Sequence, residues 1–175
     1  MFACRNGHTV NVRFVETSDR DNLRDYFRSL SLQSRHNRFM AALSELPAIE
    51  LDRFIRSGEG NLFTLIVTMA GTGSETIVGE ARYAFHSGSL SVEFGFSVSD
   101  PWHGVGIGTA LVNDLERRSF TLGAERIFGD ALYSNTPIRR LARKCGYEAL
   151  ANAADCKLIR FEKLLVGPQD IPSAC

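Results

Sequence analysis

The chain has 175 residues, 44% of them hydrophobic, which suits a single domain with a buried core and leaves little room for a second. Twenty basic and twenty acidic side chains cancel, so no overall field draws the protein to nucleic acid or to an anionic membrane. No stretch approaches the ~20 apolar residues of a membrane span, and the N-terminus lacks the basic-then-apolar order of a secretion signal, so a cytoplasmic protein is expected.

Along the chain, residues 10–15 alternate polar and apolar and predict a half-buried strand. Leu23, Tyr26, Phe27 and Leu30 fall at helical spacing within residues 19–31, behind Thr17, Ser18 and Asp19 as possible caps. Residues 33–57 predict two helical pieces interrupted near Pro47, with Leu51, Phe54 and Ile55 as the apolar stripe of the second. Strand-like runs follow at 61–69, 76–85 and 90–98, separated by turn-rich segments at 70–74 and 86–89. Turns that short imply an antiparallel meander.

After Val98 the pattern changes. A glycine-rich segment at 100–108 opens a helix that runs to about Leu122, Gly123 ends it, and residues 126–132 read as a strand. Strand, helix, strand at that spacing is a βαβ crossover, so these two strands should be parallel. A last helix is expected over 136–144, and residues 147–151 with 156–163 can close the sheet as a hairpin. The expected fold is α+β: one domain over residues 1–166 carrying a mixed sheet and helices, with a loose tail at 167–175. Cys4, Cys145, Cys156 and Cys175 show no Cys-x-x-Cys spacing and are read as reduced, non-catalytic thiols.

The run His103-Gly104-Val105-Gly106-Ile107-Gly108-Thr109 places three glycines where a strand meets a helix. Glycine lets backbone N–H groups crowd around a ligand and the helix N-terminus adds partial positive charge, which together make a phosphate cradle. A Walker loop requires Gly-Lys-Ser/Thr after its spaced glycines, and a dinucleotide fingerprint requires Gly-x-Gly-x-x-Gly near the start of a parallel sheet. Neither pattern fits. Without a ligand, the same glycines would serve tight packing at a helix start.

Residues 92–111 and 135–147 resemble the acyl-CoA-binding core of the GNAT superfamily of N-acetyltransferases, whose signature Gln/Arg-x-x-Gly-x-Gly/Ala is approached here by His103-x-x-Gly106-x-Gly108. Within that superfamily the likeness is to the catalytic domain of bacterial Pat-type protein lysine acetyltransferases. It is carried by Ser34-Arg35-x-x-Arg38-Phe39, by Val92-Glu93-Phe94-Gly95-Phe96-Ser97-Val98 and by Asn135-x-x-Ile138-Arg139-Arg140. The resemblance implies a mostly antiparallel sheet with flanking helices and one parallel crossover. It also implies acetyl-CoA as acyl donor with no metal, and a primary amine as acceptor, either a small molecule or a protein lysine, that attacks directly in a ternary complex. The implied cofactor-binding set is Phe96 and Val98, whose main chain pairs with pantetheine, then His103, Gly104, Val105, Gly106, Ile107, Gly108 and Thr109 around the pyrophosphate, and Asn135 beside the pantetheine arm. Capping alone also accounts for Asn135. The family usually carries a bulge in the strand matching 90–98.

Glu93 shares a strand face with Ser91, Gly95 and Ser97. An amine of pKa about 10.4 is uncharged to only roughly one part in 2,500 at pH 7, so a nearby base is useful. Glu93 matches the position of the catalytic glutamate of Pat-type enzymes; the alternative is an ordinary strand glutamate facing solvent or paired with Arg82. A backbone N–H near Val98 is expected to stabilise the oxyanion. Many GNAT enzymes protonate the departing thiolate with a Tyr seven residues after the helix-leading Asn, but Ala142 stands there in this chain. Tyr133, Ser134 and Tyr147 are near in sequence, and nothing singles one out. Arg139, Arg140, Arg143 and Lys144 form a basic face that either meets a cofactor phosphate or is solvated. Residues 34–39 match the acceptor side of GNAT folds and either bind an acidic acceptor or form a polar helix face. A non-catalytic acyl-CoA sensor is the second functional reading, and a nucleotide-binding redox protein the third. A monomer or a homodimer is expected.

Overall fold

The computed structural model describes residues 1–70, 75–152 and 155–165. Its strands are β1 (Phe2–Ala3), β2 (Thr9–Phe14), β3 (Leu62–Ala70), β4 (Glu75–His86), β5 (Ser91–Val98), β6 (Arg126–Leu132), β7 (Glu148–Ala151) and β8 (Leu158–Leu164). Its helices are α1 (Arg20–Ser29), α2 (Leu32–Phe39), α3 (Ala48–Ile55), α4 (Ile107–Thr121) and α5 (Thr136–Lys144). Each falls within a few residues of its sequence expectation, except the two-residue β1, which composition did not signal. The turn at 71–74 and the tail at 167–175 lie outside the described residues, as does Cys175. Cys4, Cys145 and Cys156 are free thiols.

All eight strands join one sheet in the order β1-β2-β3-β4-β5-β6-β8-β7. Neighbours are antiparallel except β5 and β6, which run parallel through the α4 crossover. The strand alternation sorts the core into two layers. Leu65 and Val67 of β3 join a cluster with Ile107, Leu111 and Leu115 of α4, whereas Ile66 between them joins Leu23, Tyr26 and Phe27 of α1 and Phe54 of α3. Helices α1 and α3 therefore cover one face and α4 the other. Among the described residues no helix is long and apolar enough to cross a membrane.

The caps differ in detail from the expectation. Asp19 stands at the N-cap of α1 but turns back to accept from the Glu16 N–H and from both Nη atoms of Arg13. Gly123, at φ 82°, ends the α4 segment as expected.

What positions the site is the relation of β5 to its two neighbours. Against β4 its register is unbroken from His86↔Ser91 to Gly79↔Val98, and the irregularity of that region lies instead between β3 and β4 at Val67/Thr68. Against β6, pairing stops after Ser91↔Arg126, Val92↔Ile127 and Glu93↔Phe128, although β5 continues to Val98 and β6 to Leu132. Two parallel strands thus part along half their length. Gly129 stands where they divide, and a Cβ there would lie 2.6 Å from the Phe94 carbonyl oxygen.

Candidate active site

A cavity of about 520 Å³ occupies the opening between β5 and β6. Residues 94–98 of β5 and 129–131 of β6 form its walls, Ser34, Asn37 and Arg38 of α2 border one side, and the glycine turn with the first turn of α4 closes the far end. Helix α5 adds Ile138, Arg140, Leu141 and Lys144.

At the closed end the chain leaves β5 through a short 3-10 turn, Asp100–Trp102, and enters α4 at Gly106, whose φ of 107° disfavours any residue with a side chain. The first intrahelical bond is Ala110 N–H to the Gly106 carbonyl. The N–H groups of Ile107, Gly108 and Thr109 therefore have no partner within the helix, as at any helix start. Such a cluster at the positive end of the helix dipole suits an anionic oxygen. Lys144 donates to Thr109 Oγ1 at 3.3 Å, so the end of α5 brings a cation to the same place.

Three contacts fix this loop. The His103 ring meets the Val98 carbonyl at 2.8 Å through Nε2; since a carbonyl only accepts, Nε2 carries the proton. The departure from Gln or Arg therefore gives a side chain that closes its own loop. Asp100 accepts from the Ser31 N–H and from the hydroxyls of Ser31 and Ser34, tying α2 to the loop. Burial raises its pKa, but those bonds and the nearby His103 outweigh it and hold the carboxyl below the usual range. From the other side, the Arg5 N–H donates to the Val105 carbonyl at 2.9 Å and the His8 ring meets Trp102 edge-on at 5.3 Å. Arg5 borders the cavity, a contribution of the N-terminal hairpin that no motif announced.

Of the residues singled out in the sequence, Phe96, Val98, His103, Gly104, Gly106, Gly108, Thr109 and Asn135 border the cavity. Ile107 is fully buried in the core and Val105 packs against it, so only their main chain could serve a ligand. Asn135 caps α5, its Oδ1 accepting from the Ile138 N–H at 3.3 Å.

Glu93 occupies the last paired position before β5 and β6 divide. Its side chain is 53% exposed and its Oε2 lies 3.6 Å from His86 Nε2. Arg82 is not its partner; that guanidinium donates to the Arg53 carbonyl and lies over the Phe54 ring. A second carboxylate, Asp130 of β6, does border the cavity, but Arg160 holds both its oxygens.

Among the nearby candidates for a proton donor, Tyr133 is exposed beneath Arg139. Tyr147 borders the cavity, but its hydroxyl is sealed from solvent. Burial, and then the charge of Glu116, push that hydroxyl far above its ordinary pKa.

A mixed sheet parted at its one parallel pair, with a glycine-lined helix start at the end of the parting, defines the GNAT fold. The chain belongs to the GNAT acetyltransferase family, whose model matches residues 23–147. It is 24% identical to an acetyltransferase of Pseudomonas aeruginosa over 144 residues, 81% of this chain and 76% of that protein. Among solved structures it is similar to the GNAT domain of S. lividans PAT, with a TM-score of 0.85 at 23% identity, covering 94% of this chain and 95% of that one. It also resembles a spermidine N-acetyltransferase from Vibrio cholerae in complex with CoA and spermine, with a TM-score of 0.71 at 17% identity over 89% and 95% of the two chains.

Proposed function

We propose that this protein moves an acetyl group from acetyl-CoA to a primary amine by direct attack in a ternary complex. The observation that carries the reading is the parting of β5 from β6 beyond Glu93, which opens a cavity ending on the unpaired N–H groups of α4. A slot between two strands suits an extended pantetheine arm, whose amides can pair with main chain around Phe96 and Val98. The glycine turn, with Arg5 and Lys144 beside the helix start, suits the pyrophosphate.

In this reading Glu93, at the last paired position before the strands part and outside the cavity lining, is the base and takes the amine proton through water. The uncharged amine attacks the thioester carbon, a main-chain N–H of the parted strand near Val98 stabilises the oxyanion, and collapse expels the thiolate. That thiolate needs no protein acid, since a thiol pKa of about 8.5 makes it a tolerable leaving group, and Tyr147 is sealed from solvent.

The acceptor is an amine of a small molecule or a protein lysine. Screening amines and peptides with acetyl-CoA, reading free thiol and confirming the acetylated product by mass, tests the proposal. Tight acetyl-CoA binding with no product from any amine or peptide would leave a sensor instead.

A further inference from the structure

We propose that Arg38 reads the acceptor: its guanidinium takes a carbonyl or carboxylate oxygen of the molecule whose amine is acetylated, and so selects oxygen-bearing amines over plain polyamines. The inference rests on the acetyltransferase reading and adds the substrate class.

Glu80 of β4 is a fully buried carboxylate on the α1–α3 side of the sheet. Arg38 of α2 meets it with two bonds, Nε to Oε1 at 2.6 Å and Nη2 to Oε2 at 3.1 Å. Ser97 Oγ donates to Glu80 Oε1 at 2.6 Å and lies 2.9 Å from the Tyr26 hydroxyl. Ser97 has one hydrogen and Glu80 takes it, so Tyr26 is the donor to Ser97. This chain fixes the carboxylate, and the carboxylate fixes Arg38. The guanidinium also lies over the Phe39 and Phe54 rings at 5.4 and 5.6 Å, and only 12% of the side chain is exposed.

Glu80 thereby takes one edge of the fork, through Nε and Nη2. Arg38 Nη1 has no hydrogen-bond partner among the described residues. It stands beside Gly95, where a Cβ would lie 2.9 Å from it, and both residues border the cavity. A charged donor so placed gains most from an oxygen with free lone pairs. Protonated polyamines carry no such oxygen and add like charge. Because the fork is held before any ligand arrives, little ordering cost remains at binding. Gly95 lies two residues from Glu93 on the same strand face, about 7 Å along β5. An acceptor with its oxygen on Arg38 and its amine directed toward Glu93 would therefore span two residues of strand, about 7 Å.

The test is a panel of ω-amino acids against alkylamines of equal length, together with lysine against its decarboxylated diamine, at saturating acetyl-CoA. Removing Arg38 alone strands a buried charge, so the variants are Arg38→Lys and the paired Arg38→Met/Glu80→Gln, each checked for folding by circular dichroism. Wild type should prefer the oxygen-bearing member by at least tenfold in kcat/KM, through KM. Both variants should bring the ratio close to one, through loss of the KM advantage of the oxygen-bearing member. A ratio near one in wild type, or one retained by both variants, would overturn the inference. If wild type acetylates no amine, NMR titration of CoA-loaded protein with N-acetyl-β-alanine and N-propylacetamide decides the matter separately. Arg38-dependent preference for the carboxylate upholds the subsite and discards the transferase reading, and equal weak binding discards the subsite.

Discussion

Glu93 and Glu80 are both strand glutamates, and the sequence distinguishes them poorly. Glu93 drew attention through a matched motif; Glu80, in the run 76–85, belongs to no motif and is not singled out. Its burial depends on Arg38, which lies 42 residues earlier in the chain. For Glu93→Gln, which keeps size and removes the proton acceptor, turnover at neutral pH should fall roughly 10²–10⁴-fold with acetyl-CoA affinity retained. Raising the pH toward the amine pKa deprotonates the acceptor in solution, so the variant should regain most of the gap. Single-turnover rates from pH 6.5 to 9.5 check this, and equal rates for the two proteins would return Glu93 to an ordinary surface role. His103 shows how a motif departure becomes intelligible only in three dimensions. Its match to the signature position was legible, while the Val98 carbonyl that occupies its Nε2 was not.

Strands and helices followed closely from alternation, helical spacing and the glycine and proline punctuation, because those signals are local. The parting of β5 and β6 is not local. Where the strands divide, Gly129, a residue with no motif around it, lies close against the carbonyl of Phe94, a residue far earlier in the chain on the other side of the α4 crossover. Backbone cannot yield there as a flexible side chain would. Gly129→Ala should lower stability by about 1–3 kcal/mol, the usual scale of overpacking, and weaken acetyl-CoA binding by shifting the wall of the cavity. Thermal melts and calorimetry on one preparation measure both, and an unchanged melt would mean that the strands have slack at their division. The placement of β8 between β6 and β7 was likewise unreadable, since a hairpin pattern does not say which arm faces the sheet.

For the molecule as a whole, equal numbers of acidic and basic side chains hide a directional response to acid. Bonds from Arg13 lower the Asp19 pKa; burial opposes them, and the Glu16 N–H and the Arg13 charge reinforce them. With the folded pKa below the unfolded value, this group stabilises the protein above pH ~4 and loses that contribution as pH falls through the folded pKa. Asp100 and Asp114 are shifted the same way, in each case against burial. The melting temperature of wild type should therefore fall steeply below about pH 4, and Asp19→Asn should melt lower at neutral pH and show a shallower fall. Parallel pH-melting profiles would remove Asp19 from the account.

The central claim, that the cavity between β5 and β6 ends in an anion cradle at α4 that holds acetyl-CoA, is most directly tested by calorimetric titration of wild type and Gly106→Asp with acetyl-CoA. Gly106, at φ 107°, has open space where a Cβ would stand, so the substitution brings backbone strain and a negative charge to the cradle rather than a clash. Wild type should bind one acetyl-CoA per chain, and the variant, shown folded by its circular dichroism, should give almost no heat. A folded variant that binds as tightly as wild type would mean that the cradle does not hold the cofactor.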